Sequence, residues 1–375
     1  MASLAPSPPP SAAAIRVLVV DDSVVVRGLI TRWLQEEPGI DIAGVAVNGK
    51  DAVTMAGSLK PDVIVLDVEM PQLDGIGAIP QILAVAPDAK ILMASTLTKR
   101  NAEITIRALS LGAADYLPKP ETTRLAAAAD FKRDLVTRVR ALGQRRRPGA
   151  ATPPRPGQPT PLATSTTARP AAAGAPRPGP RKPVEILLIG CSTGGPQALN
   201  RLVAAIGPRL RLPVVIVQHM PAMFTAILAE HLGRVSKAPV FEAKDGMPIR
   251  PGSVYLAPGD FHLRLQRRHG ATVAALDQGA PENFCRPAVD PLFRSGAEIF
   301  GPSVLAAVLT GMGADGRKGA EAIVERGGAV IAQDEASSVV WGMPGAVVSA
   351  GLACAVKPIE QIGPTLLAYA EGRTL

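Results

Sequence analysis

The segment 148–183 constrains the fold of this 375-residue chain more than any other feature. It is rich in Pro, Ala, Arg and Thr and shows no apolar periodicity. Such a composition buries too little surface to offset the conformational entropy lost on folding, so we expect an extended, mobile linker. The chain must therefore fold as two units: a disordered tail over 1–14, a first domain over 15–142, a linker over 143–183 and a second domain over 184–375.

The formal net charge of +8 is concentrated in this linker, which carries a run of Arg and Lys residues and no Asp or Glu. The two folded units are therefore nearly neutral, and neither has the basic field that nucleic-acid binding requires. Three widely spaced cysteines indicate a reducing compartment rather than a disulfide framework. The N-terminal sequence lacks the pattern of a signal peptide, and we find no run long enough for a membrane span. We expect a cytoplasmic protein that does not insert into membranes.

Aliphatic strands alternate with helical segments in both units. In the first unit the strands are IRVLVVDD, DIAGVAV, DVIVLDV, KILMAST and ADYLPKP, which predict a doubly wound sheet of five parallel strands. The second unit contains VEILLIG, PVVIVQH, SVYLAP, SVLAAVLTG and AVIAQD, which predict another α/β domain with a parallel sheet. Ligands bind such sheets at the carboxyl ends of the strands.

Polar side chains collect at these strand ends in the first unit: Asp21, Asp22, Asp67, Ser95 and Lys119. Three close carboxylates repel one another unless a cation lies among them, and an all-oxygen site suits Mg²⁺. With Mg²⁺ bound, one carboxylate could accept a phosphoryl group, whose oxygens the hydroxyl and the lysine could then hold. The alternative is that the aspartates cap turns and that the lysine is a surface charge.

The segments VLVVDDS, LDVEMPQLDG, the hydroxyl of MAST and YLPKP resemble the receiver domains of two-component response regulators. The resemblance implies that Asp67 is the phospho-acceptor and that Mg²⁺ binds among Asp21, Asp22 and Asp67. It further implies that Ser95, Lys119 and the aromatic Tyr116 respond to the phosphoryl group. A histidine kinase would be the phosphodonor.

In the second unit, Gly190, Ser192 and Gly194 fit the pattern G-x-S-x-G between a strand and a helix. The pattern predicts an exposed nucleophilic serine on a tight turn, with backbone N–H groups nearby to stabilise an oxyanion. A glycine-rich phosphate cradle and a purely structural turn are the two alternatives.

A serine nucleophile needs a base, usually histidine. His219 directly follows the buried strand PVVIVQ and is the favoured candidate, with His262 in FHLRLQ as the second. His231, in a helix predicted to end at Gly233, and His269, in a polar turn, indicate surface positions. His219 could instead be a core histidine bonded to a backbone carbonyl.

Asp315 lies in the glycine-rich loop LAAVLTGMGADG and is the natural carboxylate to orient His219, although it could also cap the helix that follows. The resulting order Ser, His, Asp differs from that of the α/β-hydrolases, so the G-x-S-x-G match does not indicate that fold.

The motifs GCSTGG, QHMP, LAPGD, RPAVDPLF, LTGMGADG and QDEASSVVWGMP follow one another through the second unit. Together they resemble the catalytic domain of the chemotaxis protein-glutamate methylesterases, the CheB family. The resemblance implies Ser192 as nucleophile, His219 as base, Asp315 as its orienting partner, and Thr193 and Met312 near the oxyanion. It implies no cofactor for the esterase reaction. Cys191 departs from the small residue familiar before the nucleophile, but one-residue spacing should turn its thiol away from Ser192.

The implied function is a phosphorylation-activated serine hydrolase that demethylates glutamate methyl esters, and also deamidates glutamines, on methyl-accepting chemoreceptors. Its unphosphorylated receiver should pack over the active site. We expect a monomer associated with receptor clusters. A DNA-binding response regulator is disfavoured by the missing basic face, and a catalytically idle scaffold by the intact serine, histidine and aspartate.

Overall fold

The computed structural model describes residues 14–96, 98–119, 125–144 and 177–373. The predicted disordered tail, apart from its last residue, and most of the predicted linker lie outside these residues. Across the described ranges, no helix is both long and apolar enough to span a membrane.

The first unit contains a five-stranded sheet, as the aliphatic runs predict. Its strands are β1 (Ile15–Val20), β2 (Ile40–Ala46), β3 (Val63–Asp67), β4 (Lys90–Thr96) and β5 (Asp115–Lys119). The order is β2-β1-β3-β4-β5, and all neighbours are parallel. The strand order reverses between β1 and β3, so the carboxyl ends of these two strands form the crevice in which a ligand would bind.

Five helices cover the two faces of this sheet: α1 (Val24–Gln35), α2 (Gly49–Leu59), α3 (Gly75–Val85), α4 (Lys99–Leu111) and α5 (Leu125–Gly143). The first four begin at residues whose side chains accept a backbone N–H of the first turn, namely Ser23, Asn48, Asp74 and Thr98. Helix α5 continues to Gly143, one residue past the predicted end of the first domain.

The second unit contains a seven-stranded sheet and a separate hairpin. Its strands are β6 (Ile186–Cys191), β7 (Val214–Gln218), β8 (Val240–Glu242), β9 (Val254–Leu256), β10 (His262–Arg268), β11 (Ala271–Asp277), β12 (Val304–Val308), β13 (Ala329–Gln333) and β14 (Ala355–Lys357). The large sheet has the order β14-β13-β12-β6-β7-β9-β8 and is parallel throughout. Strands β10 and β11 form the antiparallel hairpin.

Six α-helices belong to the second unit: α6 (Gly195–Ile206), α7 (Ala222–Ser236), α8 (Val289–Phe300), α9 (Arg317–Glu325), α10 (Met343–Ser349) and α11 (Ile359–Ala370). The prediction that the helix bearing His231 ends at Gly233 is wrong. Helix α7 continues to Ser236 because Leu232 and Ser236 are still buried in its last turns, and it ends where Lys237 adopts a left-handed conformation with φ 57°.

The two units share a hydrophobic core. Tyr116 on β5 and Phe224 on α7 are both buried, and their rings stack with centroids 4.7 Å apart. Val339 and Val340, which follow β13, pack against a second cluster of apolar residues in the first unit. The first unit therefore rests directly on the second.

Candidate active site

The first unit gathers three carboxylates at the ends of β1 and β3. Oxygens of Asp21, Asp22 and Asp67 lie within 4.8 Å of one another. Lys119 Nζ lies 2.7 Å from Asp21 Oδ2 and 2.8 Å from Asp67 Oδ1. The structure thus brings together four of the five side chains that the strand ends predict.

Charge in this pocket is only partly balanced. Burial raises the pKa of Asp67, although Lys119 and the Val68 backbone N–H act in the opposite direction. One lysine faces three carboxylates, so the pocket retains negative charge and an all-oxygen donor set. These residues fit a hard divalent cation such as Mg²⁺.

Ser95 and Tyr116 lie in the same unit but point elsewhere. The hydroxyl of Ser95 is buried and lies 3.1 Å from Thr105 Oγ1 on α4. Tyr116 packs against Phe224 of the second unit, and burial raises the pKa of its hydroxyl. The Ser95 hydroxyl therefore contacts α4, and the Tyr116 ring contacts α7 of the second unit.

Ser192 lies on a tight turn between β6 and α6. Gly194 has φ 77°, and a Cβ there would lie 2.6 Å from Val339, so only glycine fits. The backbone N–H of Ser192 donates to Thr310 O at 3.0 Å, which joins the turn to the loop after β12. This is the tight strand-to-helix turn that the G-x-S-x-G pattern predicts.

The order of the central strands places the three predicted catalytic residues at one edge of the sheet. Strand β6 lies between β12 and β7, with Gly190 paired to Val308 and Cys191 to Gln218. Beyond the last pair, His219 N donates to Cys191 O at 3.2 Å. Ser192, His219 and the loop that follows β12 therefore meet.

His219 and Asp315 form a direct pair. His219 Nε2 lies 2.7 Å from Asp315 Oδ2, and Asp315 is buried. The same carboxylate accepts the backbone N–H groups of Val289 and Asp290 at the start of α8, at 2.6 and 3.1 Å. Its bond with Gly316 N, at 2.9 Å, is local, and α9 has no side-chain cap. Asp315 therefore holds the His219 ring by a hydrogen bond, and capping α9 does not explain its position.

His219 and Asp315 shift each other's pKa in opposite directions. Burial lowers the pKa of His219, but the hydrogen bond to Asp315 and the contact with Cys285 outweigh it and raise the pKa to about 10. Burial acts to raise the pKa of Asp315, but its bond with His219 and the backbone donors hold that pKa below its usual value. Asp315 therefore stabilises the protonated form that His219 adopts when it takes a proton from a nucleophile.

The hydroxyl of Ser192 makes no hydrogen bond to any residue that the structure describes. The other ring nitrogen of His219, Nδ1, instead lies 3.4 Å from the thiol of Cys285. The structure thus brings the base and the carboxylate together and leaves the predicted nucleophile unengaged.

Two backbone amides beside Ser192 are available to an anion. Within the described ranges, the N–H groups of Thr193 and Met312 donate no hydrogen bond. The β12 loop approaches Ser192 closely: a Cβ on Gly311 would lie 2.9 Å from the Ser192 Cβ. Free amides next to a nucleophile are the usual components of an oxyanion site.

The remaining candidates from the sequence occupy structural positions. His262 is buried, with Nε2 3.0 Å from Ala280 O and Nδ1 3.3 Å from Ala288 N, so both ring nitrogens are engaged by the backbone. His231 is half-buried and lies 3.1 Å from Ser110 Oγ of the first unit, which differs from the predicted surface position. The Cys191 thiol contacts Gln218 Oε1 at 3.1 Å, away from Ser192.

The loop that precedes α8 brings two further residues to the site, Asn283 and Cys285, for which no role follows from the sequence motifs. Asn283 Nδ2 donates to Asp315 Oδ1 at 2.8 Å and to Asp290 Oδ2 at 3.1 Å. Cys285 contacts His219. Asn283 adopts a left-handed conformation with φ 51°, which Asn tolerates, so the sequence is compatible with a turn at this position. Nothing in the sequence, however, places this loop next to Asp315.

The first unit covers the turn that carries Ser192. Asp115 Oδ2 accepts the Thr193 hydroxyl at 2.7 Å, Ala114 O accepts Gly194 N at 3.1 Å, and Ala113 O accepts the side-chain amide of Gln197. On the other side of the site, a cleft of about 1460 Å³ separates the units, lined by Lys90 and Gln144 of the first unit and by Met312, Gly313 and Trp341 of the second.

Comparisons with known proteins agree with both sets of motifs. Residues 187–366 match the family model for CheB methylesterase, and residues 17–130 match that for the response regulator receiver domain.

A protein-glutamate methylesterase/protein-glutamine glutaminase of group 2 operon from Rhodopseudomonas palustris is 56% identical over 94% of this chain and 93% of its own length. One from Paramagnetospirillum magneticum is 51% identical over 98% of this chain and 99% of its own length. The crystal structure of the Thermotoga maritima CheB methylesterase catalytic domain is 43% identical and covers 50% of this chain and 98% of that chain, with a TM-score of 0.49.

Proposed function

Because this chain belongs to the CheB methylesterase family and carries a response regulator receiver domain, we propose that it hydrolyses glutamate methyl esters on chemoreceptors under the control of phosphorylation. The observation that carries the proposal is the His219–Asp315 pair at the sheet edge where Ser192 lies, beside two free backbone amides. The receiver is assigned to 15–142 and the esterase domain to 184–375.

The reaction begins when Ser192 Oγ attacks the ester carbonyl. His219 takes the serine proton and passes it to the departing methanol, and Asp315 stabilises the imidazolium that forms between the two steps. Water then hydrolyses the glutamyl–serine ester with His219 again as the base. A glutamine side chain reacts in the same way and releases ammonia, which accounts for the glutaminase activity.

Two features of the site define the geometry of this reaction. Asp315 holds Nε2, so Nδ1 is the nitrogen that serves Ser192. The amides of Thr193 and Met312 stabilise the negative charge that develops on the carbonyl oxygen. Preorganised amides need no rearrangement when that charge appears, which is why they lower the barrier.

In the receiver, Asp67 accepts the phosphoryl group from a histidine kinase. Asp21, Asp22 and Asp67 would hold Mg²⁺, which neutralises charge on the phosphoryl oxygens during transfer. Lys119 is positioned to bind one of those oxygens in place of its present bond to Asp67. Ser95 and Tyr116 respond to the change and transmit it toward α4 and β5.

Control follows from the contact between the units. The unphosphorylated receiver holds Thr193 through Asp115 and covers the Ser192 turn. Phosphorylation shifts the population toward an arrangement in which the turn is released and a receptor helix can enter. Because the substrates are receptor side chains, we place the enzyme at receptor clusters on the cytoplasmic side.

The test is methanol release from methylated receptor membranes, with and without acetyl phosphate and Mg²⁺. The Ser192→Ala variant should lose at least about 10³-fold of the rate. Ser349→Ala, which alters an exposed serine of the same unit, should retain it. Asp67→Asn should keep the basal rate and lose the stimulation.

Each outcome decides a separate part of the proposal. Release that persists in Ser192→Ala would remove the serine mechanism. Release that acetyl phosphate does not stimulate would leave the esterase intact and overturn control by the receiver. No release from any receptor membrane would support a scaffold that binds receptors without hydrolysing them.

A further inference from the structure

Cys285 lies on a narrow loop between β11 and α8. Its N–H donates to Glu282 O at 2.9 Å, and Glu282 N donates to Cys285 O at 3.1 Å, which closes the loop. The two residues between them, Asn283 and Phe284, both have positive φ, at 51° and 63°. Phe284 is fully exposed and Cys285 is half-buried, so this loop lies at the surface and Cys285 retains some contact with solvent beside His219.

The thiol is part of a three-residue array. Cys285 Sγ lies 3.4 Å from His219 Nδ1, and His219 Nε2 lies 2.7 Å from Asp315 Oδ2. A nucleophile within reach of a base that a third group orients is the arrangement that activates cysteine and serine in enzymes. In the described part of the chain this arrangement is complete for Cys285, whereas Ser192 has no bond to the base.

The other two thiols differ in every respect that governs reactivity. Cys191 is completely buried and is bonded to Gln218 Oε1, and burial raises its pKa. Burial raises the pKa of Cys354 to about 11. Neither has a histidine partner among the contacts that the structure describes. Since the thiolate is the reactive form of cysteine, these two residues should be inert.

We propose that Cys285 is a modification site of this enzyme: a nucleophilic thiol, served by His219 and Asp315, that takes small uncharged carbon electrophiles. With a haloacetamide, the thiol proton passes to His219 Nδ1, the sulfur forms a bond to the methylene carbon, and the carbon–halogen bond breaks to release halide. The product is a thioether, with the proton left on the imidazole.

Modification should also stop the esterase. The added carboxamide lies beside Nδ1, the nitrogen that Ser192 needs, and prevents the base from reaching the serine. This consequence rests on the proposed function, because it assumes that His219 serves Ser192. The reactivity of the thiol does not, since it depends only on the contact between Cys285 and His219.

The experiment treats the full-length protein with iodoacetamide and follows each cysteine by peptide mass spectrometry, in the folded protein and in the urea-unfolded chain. Cys285 should be labelled at least about tenfold faster in the folded protein than in the unfolded chain. Cys191 and Cys354 should show the opposite order. A folded rate for Cys285 at or below its unfolded rate would overturn the proposal without use of any variant.

One variant tests the role of the base. His219→Gln, with its fold checked by circular dichroism, should slow labelling of Cys285 by at least about tenfold, whereas labelling unchanged by the substitution would overturn the proposal.

The effect of labelling on the esterase is tested by measuring methanol release before and after labelling. Cys354→Ala should lose activity on treatment as the unaltered protein does, and Cys285→Ala should lose no further activity whatever its starting rate. Fast labelling with no loss of release would keep the reactive thiol and overturn its effect on the esterase.

Discussion

At the scale of single residues, Asn283 separates two acidic side chains. Its amide donates one hydrogen to Asp315 and one to Asp290. Burial raises the pKa of Asp290, and the charge of Asp315 adds to this effect, whereas the pKa of Asp315 is lowered by His219 and by backbone donors. Among the residues that the structure describes, His219 lowers the pKa of Asp315 and Arg294 lowers that of Asp290. Asn283 therefore helps to keep Asp315 ionised next to a neighbour that favours the proton.

Replacing Asn283 with Ala should lower kcat/KM by about 10- to 100-fold, since a hydrogen bond to a charged group is worth about 1.5–3 kcal/mol. Loss of the donor raises the pKa of Asp315, so the acid limb of the pH–rate profile should move to higher pH. Methanol release measured across pH checks both effects. Gln278→Ala, which removes an exposed amide bonded to Asp260, should change neither. An unshifted acid limb would limit Asn283 to a structural role.

The sequence indicates some of these residues and not others, for a physical reason. Asp67 ends a buried strand of the first sheet, and Ser192 and His219 directly follow neighbouring buried strands of the second. Because the carboxyl ends of parallel strands meet at one edge of a sheet, local pattern predicts each of these positions. Asn283 and Cys285 reach the site on a loop whose path depends on the hairpin of β10 and β11 and on the start of α8. No local signal specifies that path.

At the scale of elements, the start of β5 makes a buried polar contact between the units. Asp115 opens β5 and accepts hydrogen bonds from the Thr193 hydroxyl, from Tyr116 N and from the guanidinium of Arg138 on α5. The carboxylate is buried, so its bonds are poorly screened by solvent. A movement of β5 or α4 would therefore pull on the residue next to the nucleophile.

The Asp115→Ala variant should raise methanol release without phosphodonor by about 3- to 10-fold, because loss of this buried bond favours the released arrangement by about 1 kcal/mol. Arg138 is partly accessible to solvent and can hydrate after the change, so the receiver should still fold. The matched control is Glu103→Ala, an exposed carboxylate on α4, which should leave basal release unchanged. Lower basal release in Asp115→Ala would mean that the contact assists catalysis.

Element boundaries and strand order were predictable to different degrees. The five strands of the receiver follow from aliphatic runs bounded by polar residues. The order β12-β6-β7 does not, since β12 joins the centre of the sheet after a long excursion through β8 to β11 and α8. That order decides which loop lies beside Ser192. Asp315 could be proposed from its glycine-rich loop at a strand end, whereas Met312 could be proposed only from the resemblance to a family.

At the scale of the whole molecule, the shared core couples the two units. Tyr116 and Phe224 are buried against each other across the contact, with ring planes inclined by 20°. Tyr116 also lies on the strand that carries Lys119, which is bonded to the proposed phospho-acceptor Asp67. Phosphorylation and the stability of the contact should therefore be linked, because a change at Lys119 reaches Tyr116 within three residues of one rigid strand.

Scanning calorimetry on the full chain should detect this coupling as one unfolding transition shared by the two units. Phe224→Ala removes the stacked pair and leaves a cavity, at a cost of about 3–5 kcal/mol, so the single transition should separate into two.

Acetyl phosphate with Mg²⁺ should separate the transitions of the unaltered protein in the same way, and Asp67→Asn should prevent that effect. Phe241→Ala, an exposed phenylalanine on β8, is the matched control and should keep one transition. Two transitions in the unaltered, unphosphorylated chain would mean that the units unfold independently. Weakening of the shared core could then not explain how phosphorylation releases the Ser192 turn.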